Sequence, residues 1–120
     1  MVSTTSKQVI ALAREAGYEV IHIEQMRPNR WILLLRDDLG VNNTVLVQQR
    51  PLVSSSDVQD LAELLRLRNA KEGILLALGG SFSAAAHNTA WELRGTRILL
   101  CTHLPEAPIS PSPRPILSSP

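Results

Sequence analysis

Residues 44–79 constrain the fold more than any other stretch. "TVLVQQ" is a β-branched, apolar run of strand length, and "GILLAL" is wholly apolar, beginning at Gly73 and followed by Gly79. Between them "SSSDVQDLAELLRLRNA" places Val58, Leu61, Ala62 and Leu65 at helical spacing, with Ser56 as the expected N-cap and Gln59 three residues on. A strand, a helix and a second strand in so short a span call for a right-handed crossover and two parallel strands in one sheet. The unbroken apolar character of the second strand requires that sheet to be covered on both faces.

The rest of the chain supplies the cover and the remaining strands. Residues 4–16 carry Val9, Leu12, Ala13 and Ala16 on one helical face and end at Gly17. "YEVIHIEQM" and "WILLLRDD" read as strands joined by the turn "RPNR", and "DDLGVNN" turns the chain again before "TVLVQQ". "SFSAAAHNTAWELRG" is a third helix capped by Ser83 and stopped by Gly95, and "RILLC" is a last strand. The order αβββαβαβ predicts an α/β three-layer sandwich with a mixed central sheet flanked by helices. One domain is expected over residues 1–104. Six of the eight prolines fall in residues 105–120, which reads as a Pro/Ser-rich disordered tail or linker.

Composition narrows the function classes. Aromatic residues make up only 3% of the chain, so the core is built from Leu, Val, Ile and Ala. A net charge of +1 excludes a strong uniform field for polyanions, yet ten of the twelve cations are Arg, whose planar fork suits phosphate or carboxylate. Cys101 stands alone, which excludes an intrachain disulfide and a Cys-based metal cluster; it reads as a buried strand thiol. No apolar run approaches the roughly 18 residues of a membrane span, so a cytoplasmic chain with no membrane contact is expected.

The segments "AGYEV", "LLLRDDLG", "VLVQQR" and "VSSSDVQDLAELLRLRNAKEGILLALGGSFS", in this order, resemble the Mrr-like branch of the restriction-endonuclease-like, PD-(D/E)xK superfamily over residues 8–101. The resemblance implies a nuclease fold in which an Asp on the second strand, and a Glu or Gln and a Lys two residues apart on the third, converge on a divalent metal and an attacking water. Side chains two apart on a strand share one face, which such convergence needs. Carried over by position, the metal-binding Asp falls on Ile32, the Glu/Gln on Gln48 and the Lys on Arg50. An isoleucine cannot hold a metal, and an arginine is not a compact ammonium. The resemblance therefore implies a remnant catalytic site with no metal and no cofactor, one that returning Asp to position 32 and Lys to position 50 should rebuild in part.

Polar groups ending a buried strand before Pro51 make Gln48, Gln49 and Arg50 the leading candidates for a working site, with Arg50 and Gln49 as nucleic-acid contacts. An internal carboxylate partner for Arg50, Glu24 or Glu63, is the competing role. If cleavage survives, Mg would have to be held by displaced carboxylates, Asp37 and Asp38 first and Glu15 or Glu24 after them, although Asp is common in turns for backbone reasons alone. His22, His87 and His103 show no metal spacing, and Gly79 and Gly80 read as a turn. Three functions are compatible with these residues. The leading one is a catalytically degenerate nuclease-fold module that binds DNA or serves in a restriction, defence or repair assembly, alone or as a homodimer. The others are a divergent metal-dependent DNA endonuclease and a protein-interaction domain without nucleic acid.

Overall fold

The computed structural model describes residues 4–107. Its elements are α1 (Ser6–Glu15), β1 (Glu19–Arg27), β2 (Arg30–Arg36), β3 (Asn42–Gln48), β4 (Leu52–Val53), α2 (Ser55–Leu67), β5 (Glu72–Ala77), β6 (Ser81–Phe82), α3 (Ala84–Glu92) and β7 (Arg97–Cys101). The main sheet has the order β1-β2-β3-β5-β7. β1, β2 and β3 form an antiparallel meander, and β3, β5 and β7 run parallel, so the sheet is mixed. This is the expected three-layer α/β architecture. Two short strands not anticipated from the sequence, β4 and β6, pair in parallel outside the main sheet.

Strand alternation divides the core in two. On one face Trp31, Leu33, Leu35, Val45, Val47 and Leu76 pack beneath Val9 and Ala13 of α1. On the other, Ile32, Leu46, Leu75 and Ala77 pack beneath Val58, Leu61, Ala62 and Leu65 of α2 and Ala86 of α3. All four residues of the expected α2 stripe are buried. Trp31 is fully buried, and its indole N–H donates to Ser6 Oγ at 3.1 Å, so the largest core side chain also fixes the start of α1.

The N-cap of α2 is Ser54 rather than Ser56. Asp57 at the third helical position accepts from the Ser54 N–H at 3.0 Å and leaves Gln59 no capping role, because a carboxylate one turn in meets the positive end of the helix better than an amide. Cys101 is half-buried at the end of β7, the outer strand, rather than enclosed, and burial raises its thiol pKa. After β7 the chain returns across the α1 face. Ala107 is buried there and its N–H donates to the Ala16 carbonyl at 2.7 Å. The rest of the Pro-rich segment, 108–120, lies outside the described residues. Among those described, no helix is long and apolar enough to cross a membrane.

Candidate functional site

The carboxyl ends of β3 and β5, the start of β2 and the N-terminus of α2 meet at one end of the sheet. In parallel α/β sheets this end gathers helix N-termini and loops, which is why ligand sites concentrate there. Gln48 closes β3 opposite Arg30 of β2 and opposite Ala77 of β5. Alternation turns Gln48 and Arg30 toward the face covered by α2, the face that Leu46 and Ile32 also occupy. Gln48 is 1% exposed, and neither its Oε1 nor the Arg30 Nε has a hydrogen-bond partner among the described residues.

Asp57 is the electrostatic centre of this end. Its side chain is 5% exposed; Oδ1 lies 3.5 Å from Arg30 Nη2, and Oδ2 lies 3.6 Å from Arg50 Nη1. Oδ2 also accepts from the Ser54 N–H at 3.0 Å and the Ser54 hydroxyl at 3.3 Å. Arg30, whose side chain is 12% exposed, makes its shortest contact with Asp60 Oδ2, 2.8 Å away. Arg50 remains 38% exposed. Two arginines thus share a buried carboxylate, but Arg30 is enclosed between two acids while Arg50 reaches water.

The loops are braced where they carry Arg50. Leu78 N–H donates to the Gln48 carbonyl at 2.9 Å, Ser81 N–H to that of Pro51 at 3.0 Å and Ser83 N–H to that of Val53 at 3.0 Å. The Gly79–Gly80 turn belongs to this brace, and a Cβ on Gly80 would collide with the Arg50 carbonyl and come within 2.7 Å of the Pro51 carbonyl oxygen. Glycine there is a requirement of close backbone approach. The Gln49 N–H donates to the Asn29 carbonyl at 2.8 Å, tying the end of β3 to the β1–β2 turn.

The structure brings together Gln48, Gln49 and Arg50 and separates them from the other residues the sequence suggested. Ile32 pairs with Leu46, two pairs further in, and is a 6% exposed core residue; the side chain across from Gln48 is Arg30. Asp37 and Asp38 lie beyond the opposite end of β2, seven and eight residues from Arg30, or more than about 20 Å at the rise of a strand. Asp37 Oδ1 accepts from the N–H groups of Leu39 and Val41, both at 2.9 Å, which is a turn-forming role. A metal site joining Gln48 to displaced carboxylates at positions 37 and 38 is therefore not assembled. Glu24 and Glu63 are not partners of Arg50 either, since Glu24 lies 4.0 Å from His22 and Glu63 pairs with Arg66 at 3.3 Å. His87 stacks edge-on against Phe82.

Among the described residues no group of three or more His, Cys, Asp and Glu side chains is arranged to hold a metal ion. The carboxylate nearest the strand ends, Asp57, already has both oxygens turned to arginines and to Ser54. That donor set does not fit a hard divalent cation, which asks for several oxygens free to coordinate it.

This geometry, a five-stranded mixed sheet with three helices, has a counterpart among solved structures. The chain is similar in fold to EndoMS. The match to the structure of EndoMS in its apo form has a TM-score of 0.53 at 19% identity and covers 88% of this chain. It covers 48% of the EndoMS chain, so this protein spans about half of its neighbour's length. No family model matches the sequence. No curated protein matches it either.

Proposed function

We propose that this chain is a nuclease-fold module that has lost metal-dependent cleavage and binds the phosphate backbone of nucleic acid, DNA in the first instance, through Arg50. One observation carries this reading: where the Mrr-like pattern would gather carboxylates and a lysine at the strand ends, this chain sets Arg30 and Arg50 on one occupied carboxylate, with Gln48 paired across from Arg30. The fold likeness to EndoMS is consistent with this reading at the level of architecture. A half-exposed guanidinium beside a helix N-terminus is suited to an anion that approaches from solvent.

Because the donor set around Asp57 does not fit a divalent cation that would polarise a phosphoryl oxygen or acidify a water, binding without turnover is expected. The module would act by holding nucleic acid within a larger assembly in restriction, defence or repair. Two assays on one preparation test it. Supercoiled plasmid with magnesium or manganese should stay intact, and retention on immobilised duplex DNA should fall steeply between low and moderate salt. Cleavage that follows protein concentration, or retention that ignores salt, would refute it.

A further inference from the structure

We propose that Asp57 is the internal counter-ion that Arg50 exchanges for a nucleic-acid phosphate, so that this buried carboxylate both aims Arg50 and sets how tightly the site holds a phosphate backbone. The proposal rests on the reading of Arg50 given above.

The two arginines that share Asp57 differ in what they could give up. Arg30 is enclosed and held at 2.8 Å by Asp60, so moving it would break its best contact. Arg50 touches Asp57 at 3.6 Å, beyond good hydrogen-bond length, and the 38% exposure of its side chain lets water reach it. Leaving a buried carboxylate unpaired is strongly unfavourable, but that would not follow from Arg50 turning outward. Asp57 would keep Arg30 at 3.5 Å and both Ser54 donors. The exchange therefore replaces a long ion pair with a forked, charge-assisted contact to phosphate and strands no buried charge. The brace of Gly80 against Pro51 holds the Arg50 backbone in place while its side chain moves.

The test measures anisotropy of a fluorescent random-sequence DNA duplex at one low salt concentration, with wild type, Asp57→Asn, Asp60→Asn, Arg50→Ala and the double variant Asp57→Asn/Arg50→Ala. Asparagine can still accept from Ser54, so the cap is kept. Asp57→Asn should bind about five-fold tighter than wild type, because Arg50 no longer has a buried anion to leave. Asp60→Asn removes the same charge from a more exposed site that is ion-paired to Arg30, and should change affinity less than about two-fold. The double variant should lose the gain. Equal effects of Asp57→Asn and Asp60→Asn, or a gain that survives without Arg50, would overturn the exchange while leaving Arg50 as a phosphate contact. Absence of binding by wild type would instead remove the underlying reading and the exchange with it. Should Asp57→Asn fail to fold, side-chain NMR of the wild-type chain decides: the Arg50 Nε–H resonance should shift on duplex addition more than that of Arg30, and an unmoved Arg50 resonance at saturation overturns the proposal.

Discussion

Arg30 and Gln48 face each other across β2 and β3, each with one buried polar atom that finds no partner among the described residues. Arg30 is the more heavily committed of the pair, because its guanidinium answers both Asp57 and Asp60. Arg30→Met should therefore destabilise the domain by about 3 kcal/mol, less than the full effect of stranding a buried charge because Arg50 remains beside Asp57. Arg50→Ala should cost about 1 kcal/mol or less, its pair being half-solvated. Urea denaturation of both variants checks the order; a larger loss for Arg50→Ala would mean that Arg50 is the structural cation.

Ile32→Asp is expected to cost about 4 kcal/mol, since the new carboxylate would sit in the apolar cluster with Leu46 and Leu61. Contrary to the expectation from the sequence, pairing it with Arg50→Lys should not create a metal site, because position 32 is two pairs removed from Gln48 and lies in the buried apolar cluster. Thermal melts with and without manganese measure this, and a metal-dependent rise in Tm in the double variant would contradict the register.

Most of the fold was legible in the sequence, and the site only in part. Val58, Leu61, Ala62 and Leu65 announced the buried stripe of α2, and the apolar "GILLAL" announced a central strand. Both signals are local and periodic. Arg30 was not legible because its place opposite Gln48 depends on β2–β3 register, which the two turns and the burial of Trp31 and Leu33 set together. Its polar character at the start of an apolar strand was the available clue. Asp57 was hidden by three successive serines, any of which satisfies the rule for an N-cap, so the capping carboxylate could be assigned only once Ser54 was known to hold that place.

Gly80→Ala should destabilise by about 2 kcal/mol, because its Cβ would meet the Arg50 and Pro51 backbone and push β4 from β6. Gly79→Ala would be strained for a different reason, its positive φ of 73°. Amide exchange should show Ser81 and Ser83 N–H groups losing protection in Gly80→Ala. Retained protection would mean that the brace tolerates the methyl group.

The Tyr18 phenol pKa is raised, first by burial and then by the nearby Asp37 charge. A folded-state pKa above the unfolded value means that the native state holds the proton more tightly. Its stabilising contribution is complete below about pH 10, the ordinary tyrosine value, and is lost as pH rises through the folded pKa. Tyr18→Phe should accordingly show a shallower fall in stability above pH 10 than wild type. Parallel curves for the two proteins would show that Tyr18 contributes nothing to alkaline unfolding.

The most direct test of the central claim is the salt dependence of duplex DNA binding by wild type and Arg50→Ala, read as the slope of log affinity against log salt. Loss of one phosphate contact should weaken binding similarly across sequences and reduce the slope by about one unit, with no change in sequence preference. A slope and affinity identical to those of wild type, in an Arg50→Ala protein shown to be folded, would contradict the assignment of Arg50 as the residue that grips the backbone.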